Sequence, residues 1–355
     1  MKSDVSLASA ARRLTGALAI LYVAAACGGQ SGSSAKDGRV GSLRLGYFAN
    51  LTHAVAVAGV ESGRLQRSLG PGASLETKIF NAGPPAVESL LSGALDASFV
   101  GPNPAINAFV RSGGAVRVVS GAASGGASLV VRPGLDDPGA LRGKRLATPQ
   151  LGNTQDVALR TWLKEHGLAT TLEGGGDVVI QHQENAQTLQ TFRTGAIDGA
   201  WVPEPWGSRL VLEGGGKVLV DEADLWPGGR FVTTHLLVST DYLRDHPETI
   251  RRLIQGEIET IDWLNANPQE GRRVVNEGLA KITGKALPEP IIEAAWSNLT
   301  FTYDPIATSL PAMAANAKGL GLLPAGKTSD IAKIYDLRLL ESLLRDGGRE
   351  GPARP

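Results

Sequence analysis

Three features predict an α/β protein of two similar lobes: strands alternating with helices twice over, an internal repeat at an offset of 102 residues, and a strongly helical C-terminal third. In the repeat, Gly93-Ala94-Leu95-Asp96-Ala97-Ser98-Phe99-Val100 returns as Gly195-Ala196-Ile197-Asp198-Gly199-Ala200-Trp201-Val202. The same offset lays Val87, Leu90 and Ala94 over Leu189, Phe192 and Ala196, so the apolar helix faces coincide. It also lays Thr52, Val55, Ala56 and Val57 over Thr154, Val157, Ala158 and Leu159. Two copies at so long a period do not make a solenoid.

Residues 1–27 have the layout of an export signal. Lys2, Arg12 and Arg13 are followed by the apolar stretch Leu14 to Val23 and by Ala24-Ala25-Ala26 before Cys27, the only cysteine. The small-residue run ending at a lone Cys resembles a bacterial lipoprotein signal, which implies acylation of Cys27; an ordinary signal peptide or short anchor is the alternative. Residues 28–41 are Gly- and Ser-rich and read as a flexible tether.

The first lobe is expected to hold strands at Ser42–Phe48, Glu76–Phe80, Ala97–Val100 and Val116–Ser120. Its helices are Thr52–Ser62, ended by Gly63, and Pro84–Ser92, opened by proline. The second repeats this with strands Arg145–Thr148, Asp177–Gln181 and Gly199–Val202 and helices Thr154–His166 and Ala186–Arg193. Apolar runs at Ser128–Arg132 and Leu236–Ser239 are expected to carry the chain across and back, which makes lobe two (128–235) an insertion in lobe one (42–127 and 236–345). From Pro247 onward Ile250, Leu253, Ile254, Ile258, Ile261 and Leu264 form one helical stripe, and Pro268 opens the next helix. Further helices are expected over 288–298, 307–319 and 329–345, packed on lobe one, and 346–355 as a disordered tail.

Composition narrows the function. Equal numbers of Lys+Arg and Asp+Glu, 35 each, argue against a nucleic-acid partner, which needs a basic surplus. One cysteine excludes an internal disulfide framework, and five scattered histidines with no H-x-x-x-H pair leave no expected metal and no cofactor. No segment after the signal reaches the ~18 apolar residues of a membrane span.

Ligands of open α/β sheets bind beyond the carboxyl ends of the strands, so the loops there are the candidates. They run over 48–53, 81–83, 101–103, 121–126, 150–155, 184–185 and 203–206, and hold amides, hydroxyls and glycines with almost no Lys or Arg. Helices open at Thr52-His53, near Gly83, and at Asn153-Thr154, and such N-termini hold an anion without a cationic side chain. The alternative is that Thr52, Asn153 and Thr154 cap their own helices. Glu204, between two prolines, either lines the pocket or bonds a neighbouring loop. Asp96 and Asp198 share a turn role in the two lobes, and Trp201 and Trp206 read as packing residues.

YFANLTHA, FNAGPPAVESLLSGALDASFVGPNPAINAF, SGAASGGASLVV and ATPQLGNTQDVALRTWL resemble the substrate-binding proteins of ABC importers for sulfonates, nitrate and bicarbonate. The resemblance implies a type II periplasmic-binding-protein fold, two lobes joined by two crossing strands, with the helical C-terminal region packed on lobe one. It implies an extracytoplasmic protein, a monomer, that closes on a small anion and delivers it to a membrane permease with a cytoplasmic ATPase. An aliphatic sulfonate is the first expectation; nitrate, taurine, a small heterocycle or an enzyme on the same scaffold are the alternatives. The ligand-binding candidates are Phe48, Asn50, Thr52, His53, Gly83, Asn103, Ser124, Gly125, Gln150, Asn153, Thr154 and Glu204.

Overall fold

The computed structural model describes residues 41–324 and 330–352. The export signal, Cys27, nearly all of the tether and the last three residues lie outside them.

The chain opens with β1 (Leu43–Phe48), a 3-10 turn at Leu51–His53, α1 (Ala54–Glu61), α2 (Arg64–Leu69) and β2 (Leu75–Phe80). It continues through α3 (Gly83–Leu91), β3 (Ala97–Val100), α4 (Pro102–Ser112) and β4 (Val116–Gly125). A second series follows: β5 (Ala127–Val131), β6 (Arg145–Thr148), α5 (Thr154–Glu165), β7 (Val179–His182), α6 (Asn185–Arg193), β8 (Gly199–Pro203), α7 (Trp206–Leu212) and β9 (Lys217–Asp221). Two 3-10 turns, Glu222–Leu225 and Pro227–Gly229, lead to β10 (Val232–Ser239), α8 (Thr240–Asp245), α9 (Pro247–Ala266), α10 (Pro268–Thr283), α11 (Glu289–Ser297), β11 (Leu299–Phe301), α12 (Leu310–Gly319) and α13 (Arg338–Asp346).

These strands make two sheets, ordered β11-β4-β10-β3-β1-β2 and β7-β6-β8-β5-β9. In the first, β1 runs parallel to β2 and β3, and β10 is antiparallel between β3 and β4. In the second, β6 runs parallel to β7 and β8, and β5 is antiparallel between β8 and β9. The repeat is thus a repeat of architecture. Helix α3 begins at Gly83 and ends at Leu91, α6 begins at Asn185 and ends at Arg193, and both pairs are 102 residues apart. In each lobe the aspartate before the third parallel strand accepts a backbone N–H from the first strand, Arg44 N to Asp96 and Arg145 N to Asp198, both at 2.8 Å.

The two apolar runs expected to cross between the lobes are interior strands, β5 and β10. The crossings themselves are Gly126, with φ +70° between β4 and β5, and the 3-10 segment after β9. Residues 102–112, with only their first residues marked as a loop, are the helix α4. Its prolines at the first and third positions are tolerated because those N–H groups lie in the unbonded first turn. Over 329–345 one helix was expected, yet α13 starts only at Arg338. Asp336 N donates to Val118 O at 2.9 Å, and this bond to β4 interrupts any continuous helix. At the end of α13, Gly347, Gly348 and Arg349 still donate to Leu343, Arg345 and Leu344, and Arg349 pairs with Asp262 at 2.7 Å, so order extends into the expected tail.

The stripe Ile250, Leu253, Ile254, Ile258, Ile261 and Leu264 of α9 is buried against Leu43, Leu45, Val55 and Leu65. Each such side chain contributes about 1.5–3 kcal/mol relative to exposure. The other face of the first sheet is covered by α3, α4 and α12 through Leu90, Ile106, Leu310 and Met313. Helices therefore flank both faces, and the turns at the strand ends are left to form the cleft.

Candidate functional site

The turns after β1, β2, β3, β6, β7 and β8 line one cleft between the two sheets. Of the expected residues, Phe48, Asn50, Thr52, His53, Gly83, Asn153 and Thr154 come together there, joined by Asn81, Gln155 and Asn185 from loops the sequence marks. No lysine or arginine is among the described residues lining it.

Two helix starts present free donors. The amides of Thr154 and Gln155, at the first two positions of α5, have no acceptor among the described residues, and neither has the amide of Thr52. In the turn before α1, Leu51 N is spent on Glu204 O across the cleft at 3.0 Å. The start of α3 is a poorer donor than expected, because Pro84 and Pro85 carry no N–H and leave Gly83 as its contribution. Gly83 itself is a steric requirement: a Cβ there would meet Pro104 Cγ at 2.3 Å.

Three buried side-chain atoms of the cleft have no hydrogen-bond partner in the structure: His53 Nδ1, Thr154 Oγ1 and Asn185 Oδ1. Buried polar atoms are rarely left so, since each costs about 1–3 kcal/mol. His53 stacks on Phe48, ring centres 4.2 Å apart. Burial pushes its imidazole down to about 3, so it is neutral at pH 7. It donates from Nδ1 in one tautomer, and a half-turn of the Asn185 amide places its NH₂ there.

A fully buried arginine lies on α5 itself. Arg160 Nε donates to Asp156 Oδ1 at 3.0 Å, and Asp156 also accepts from Gly152 N at 2.9 Å. Burial pushes the Asp156 carboxyl up, but the bonds from His182 and Gly152 and the Arg160 charge outweigh it and hold it below the usual carboxylate range. The pair is neutral as a unit, and Asp156 consumes the arginine.

Five expected residues do not line the cleft. Asn103 sits in the first turn of α4, which turns its Nδ2 onto Met313 O at 3.3 Å. Ser124 lies within β4, between β10 and β11. Gly125 O accepts from Thr233 Oγ1 at 2.5 Å, and a Cβ on Gly125 would strike Asn298 O at 2.6 Å. Gln150 supplies a turn carbonyl to Asn153 N at 3.2 Å. Glu204 faces away, accepting from Ser208 Oγ at 3.0 Å and Asn298 Nδ2 at 2.8 Å; burial pushes its carboxyl up against these bonds. Asn153 lines the cleft but spends Oδ1 on Asp156 N at 2.9 Å, the capping alternative. The residues underrated were Asn185 and Gln155, which the 102-residue offset lays over Gly83 and His53.

Two side-chain bonds span the lobes at the mouth: Trp206 Nε1 to Asn50 Oδ1 at 2.9 Å and Asn81 Nδ2 to Glu184 Oε1 at 2.8 Å. They hold the halves together at the rim, so the cleft is a jaw drawn nearly shut.

The pattern of one family matches residues 37–280, well over half the chain. The chain belongs to the NMT1-like family. Among its relatives, the taurine-binding periplasmic protein of Escherichia coli K12 is 28% identical over 199 residues, 56% of this chain and 59% of that one. Among solved structures, the alkanesulfonate-binding protein SsuA of Xanthomonas axonopodis pv. citri, bound to MOPS, superposes with a TM-score of 0.69 at 21% identity, over 83% of this chain and 98% of that one. The periplasmic nitrate-binding protein NrtA of Synechocystis PCC 6803 gives 0.73 at 16% identity, over 86% and 88%. At these identities the structures speak to the fold alone: it is the periplasmic-binding-protein fold that the sequence motifs resemble.

Proposed function

We propose that the chain is an extracytoplasmic solute-binding protein that captures a small anion, an aliphatic sulfonate first, and delivers it to an ABC permease. The lobes are 42–127 with 236–345 and 128–235, and the chain is held at the membrane through Cys27. The observation that carries this reading is the set of unpaired buried groups contributed from both sides of one cleft: the Thr52, Thr154 and Gln155 amides, with His53, Thr154 and Asn185 side chains, and no lysine or arginine among the described residues lining it. Amides at helix starts stabilise negative charge without a counter-ion, and an anion contacting both lobes favours the closed form by its extra affinity for that form. The relatives' names support a sulfonate, taurine or nitrate-like guest.

Carriage fits better than catalysis. His53 is the cleft's titratable group; its Nδ1 is unpaired and its imidazole neutral, so no activated nucleophile is assembled.

Thermal unfolding with methanesulfonate, taurine, nitrate and a neutral pyrimidine tests this. An anion at a hundred times its Kd is expected to stabilise the chain by about 2.7 kcal/mol. Stabilisation by the pyrimidine alone would sink the anion reading.

A further inference from the structure

Helix α5 is shared between the lobes. Leu159, Trp162 and Leu163 belong to the apolar core of lobe two, with Leu146 and Ile180. Val157, 3% exposed, lies instead in the apolar cluster of lobe one, with Ile106, Ala317 and Leu323, and Leu320 and Leu322 pack against the same cluster. The residue that the 102-residue offset lays over Val157 is also a valine, yet Val55 packs inside its own lobe with Leu65 and Ile254. The two copies of the helix share the residue and differ in which lobe receives it.

The receiving surface is the end of α12 and the turn after it. Leu322 N donates to Ala317 O at 2.9 Å, and Asn107 Nδ2 of α4 donates to Leu322 O at 3.3 Å, so the turn is fixed to lobe one. Leu322 faces the turn before α5: a Cβ on Gly152 would stand 3.8 Å from its Cδ2. In the last turn of α5, Lys164 Nζ donates at 3.3 Å to the carbonyl of Gly319, the last residue of α12, which sets a cation against the negative end of a helix. None of Val157, Lys164, Gly319 and Leu322 lines the cleft.

We infer that α5 and α12 form a latch that holds the lobes together before a guest arrives. A contact made in the closed form and lost in the open one stabilises the closed form equally with the cleft filled or empty. While the closed form dominates, such a contact leaves the equilibrium affinity nearly unchanged. It slows entry and exit alike, because each waits for opening. The effect on exchange rates rests on the anion reading above; the latch itself does not.

Small-angle scattering and stopped-flow tryptophan fluorescence of the full chain test this. The guest-free parent is expected to have the same radius of gyration as the chain saturated with nitrate, taurine or methanesulfonate. A double variant, Val157→Asn with Leu322→Asn, is expected to be larger than the parent when guest-free, with its far-UV circular dichroism unchanged. In the milder single variants Val157→Ala and Leu322→Ala, association and dissociation rates are expected to rise together by about three- to tenfold, with Kd within about twofold of the parent. The milder pair carries the test if the double variant loses its circular dichroism. A parent that contracts on binding, rates that do not rise together, or equal guest-free radii in the parent and the folded double variant each overturn the latch. Failure of nitrate, taurine and methanesulfonate alike to bind the parent overturns the anion reading instead, and the guest-free radii then decide the latch.

Discussion

Glu257 of α9 is fully buried and neither carboxyl oxygen has a hydrogen-bond partner; the Ser120 hydroxyl beside it is spent on Gly121 O at 2.9 Å. Burial pushes this carboxyl well above its usual range, so stability is lost as pH rises above the unfolded value. Glu257→Met is expected to raise unfolding free energy by about 1–3 kcal/mol at pH 8, read by urea denaturation. No gain there would mean the carboxyl has a partner. Around the cleft, two asparagines that stand in similar turns behave differently. Asn185→Ala is expected to weaken anion binding about tenfold or more, and Asn103→Ala to leave it unchanged, since Asn103 faces Met313. Equal effects in calorimetry would contradict the geometry.

At the scale of elements, the starts of α4 and α5 meet across the cleft. Gly101, the residue before α4, lies so near that a Cβ on it would stand 2.5 Å from Thr154 Oγ1. Its φ of −68° imposes no strain on alanine, so the clash is purely between lobes. Gly101→Ala is expected to displace the Thr154 hydroxyl and weaken anion binding about tenfold with little change in Tm. A large fall in Tm would show instead that Gly101 serves the fold. Most elements here were legible: the 102-residue offset carries α3 onto α6 and β3 onto β8, because apolar periodicity and turn glycines are local signals. Helix α4 and the break before α13 were not. Two prolines disguise the first, and the second follows from a bond between Asp336 and β4, more than 200 residues away.

Over the whole molecule, two buried histidines weaken the fold in acid, while the buried Glu222 and Glu257 carboxyls, both raised by burial, strengthen it there. His53 is pushed down to about 3 and His235 to about 4, chiefly by burial, while the unfolded chain binds those protons near 6.5. At these two sites the unfolded state therefore binds more protons below 6.5, and their contribution to stability falls as pH drops toward 4. The histidines' own share is expected to be on the order of 3 kcal/mol between pH 7 and 5, read by urea denaturation as the difference in pH dependence between the parent and a variant with His53→Gln and His235→Gln. The same pH dependence in parent and variant would show that the histidines are solvated in the native state.

The architecture and the neutral character of the cleft were in the sequence itself. Alternating apolar runs, the repeated G-A-(Leu/Ile)-D unit and the scarcity of basic residues after each strand are properties of neighbouring positions, and neighbouring positions dictate local geometry. The direction of individual side chains was decided elsewhere. Asn103 and Glu204 stand in the right loops, yet Met313 and Asn298, distant in the chain, draw them out of the cleft. Such pairings depend on how the lobes pack, and no local pattern encodes that.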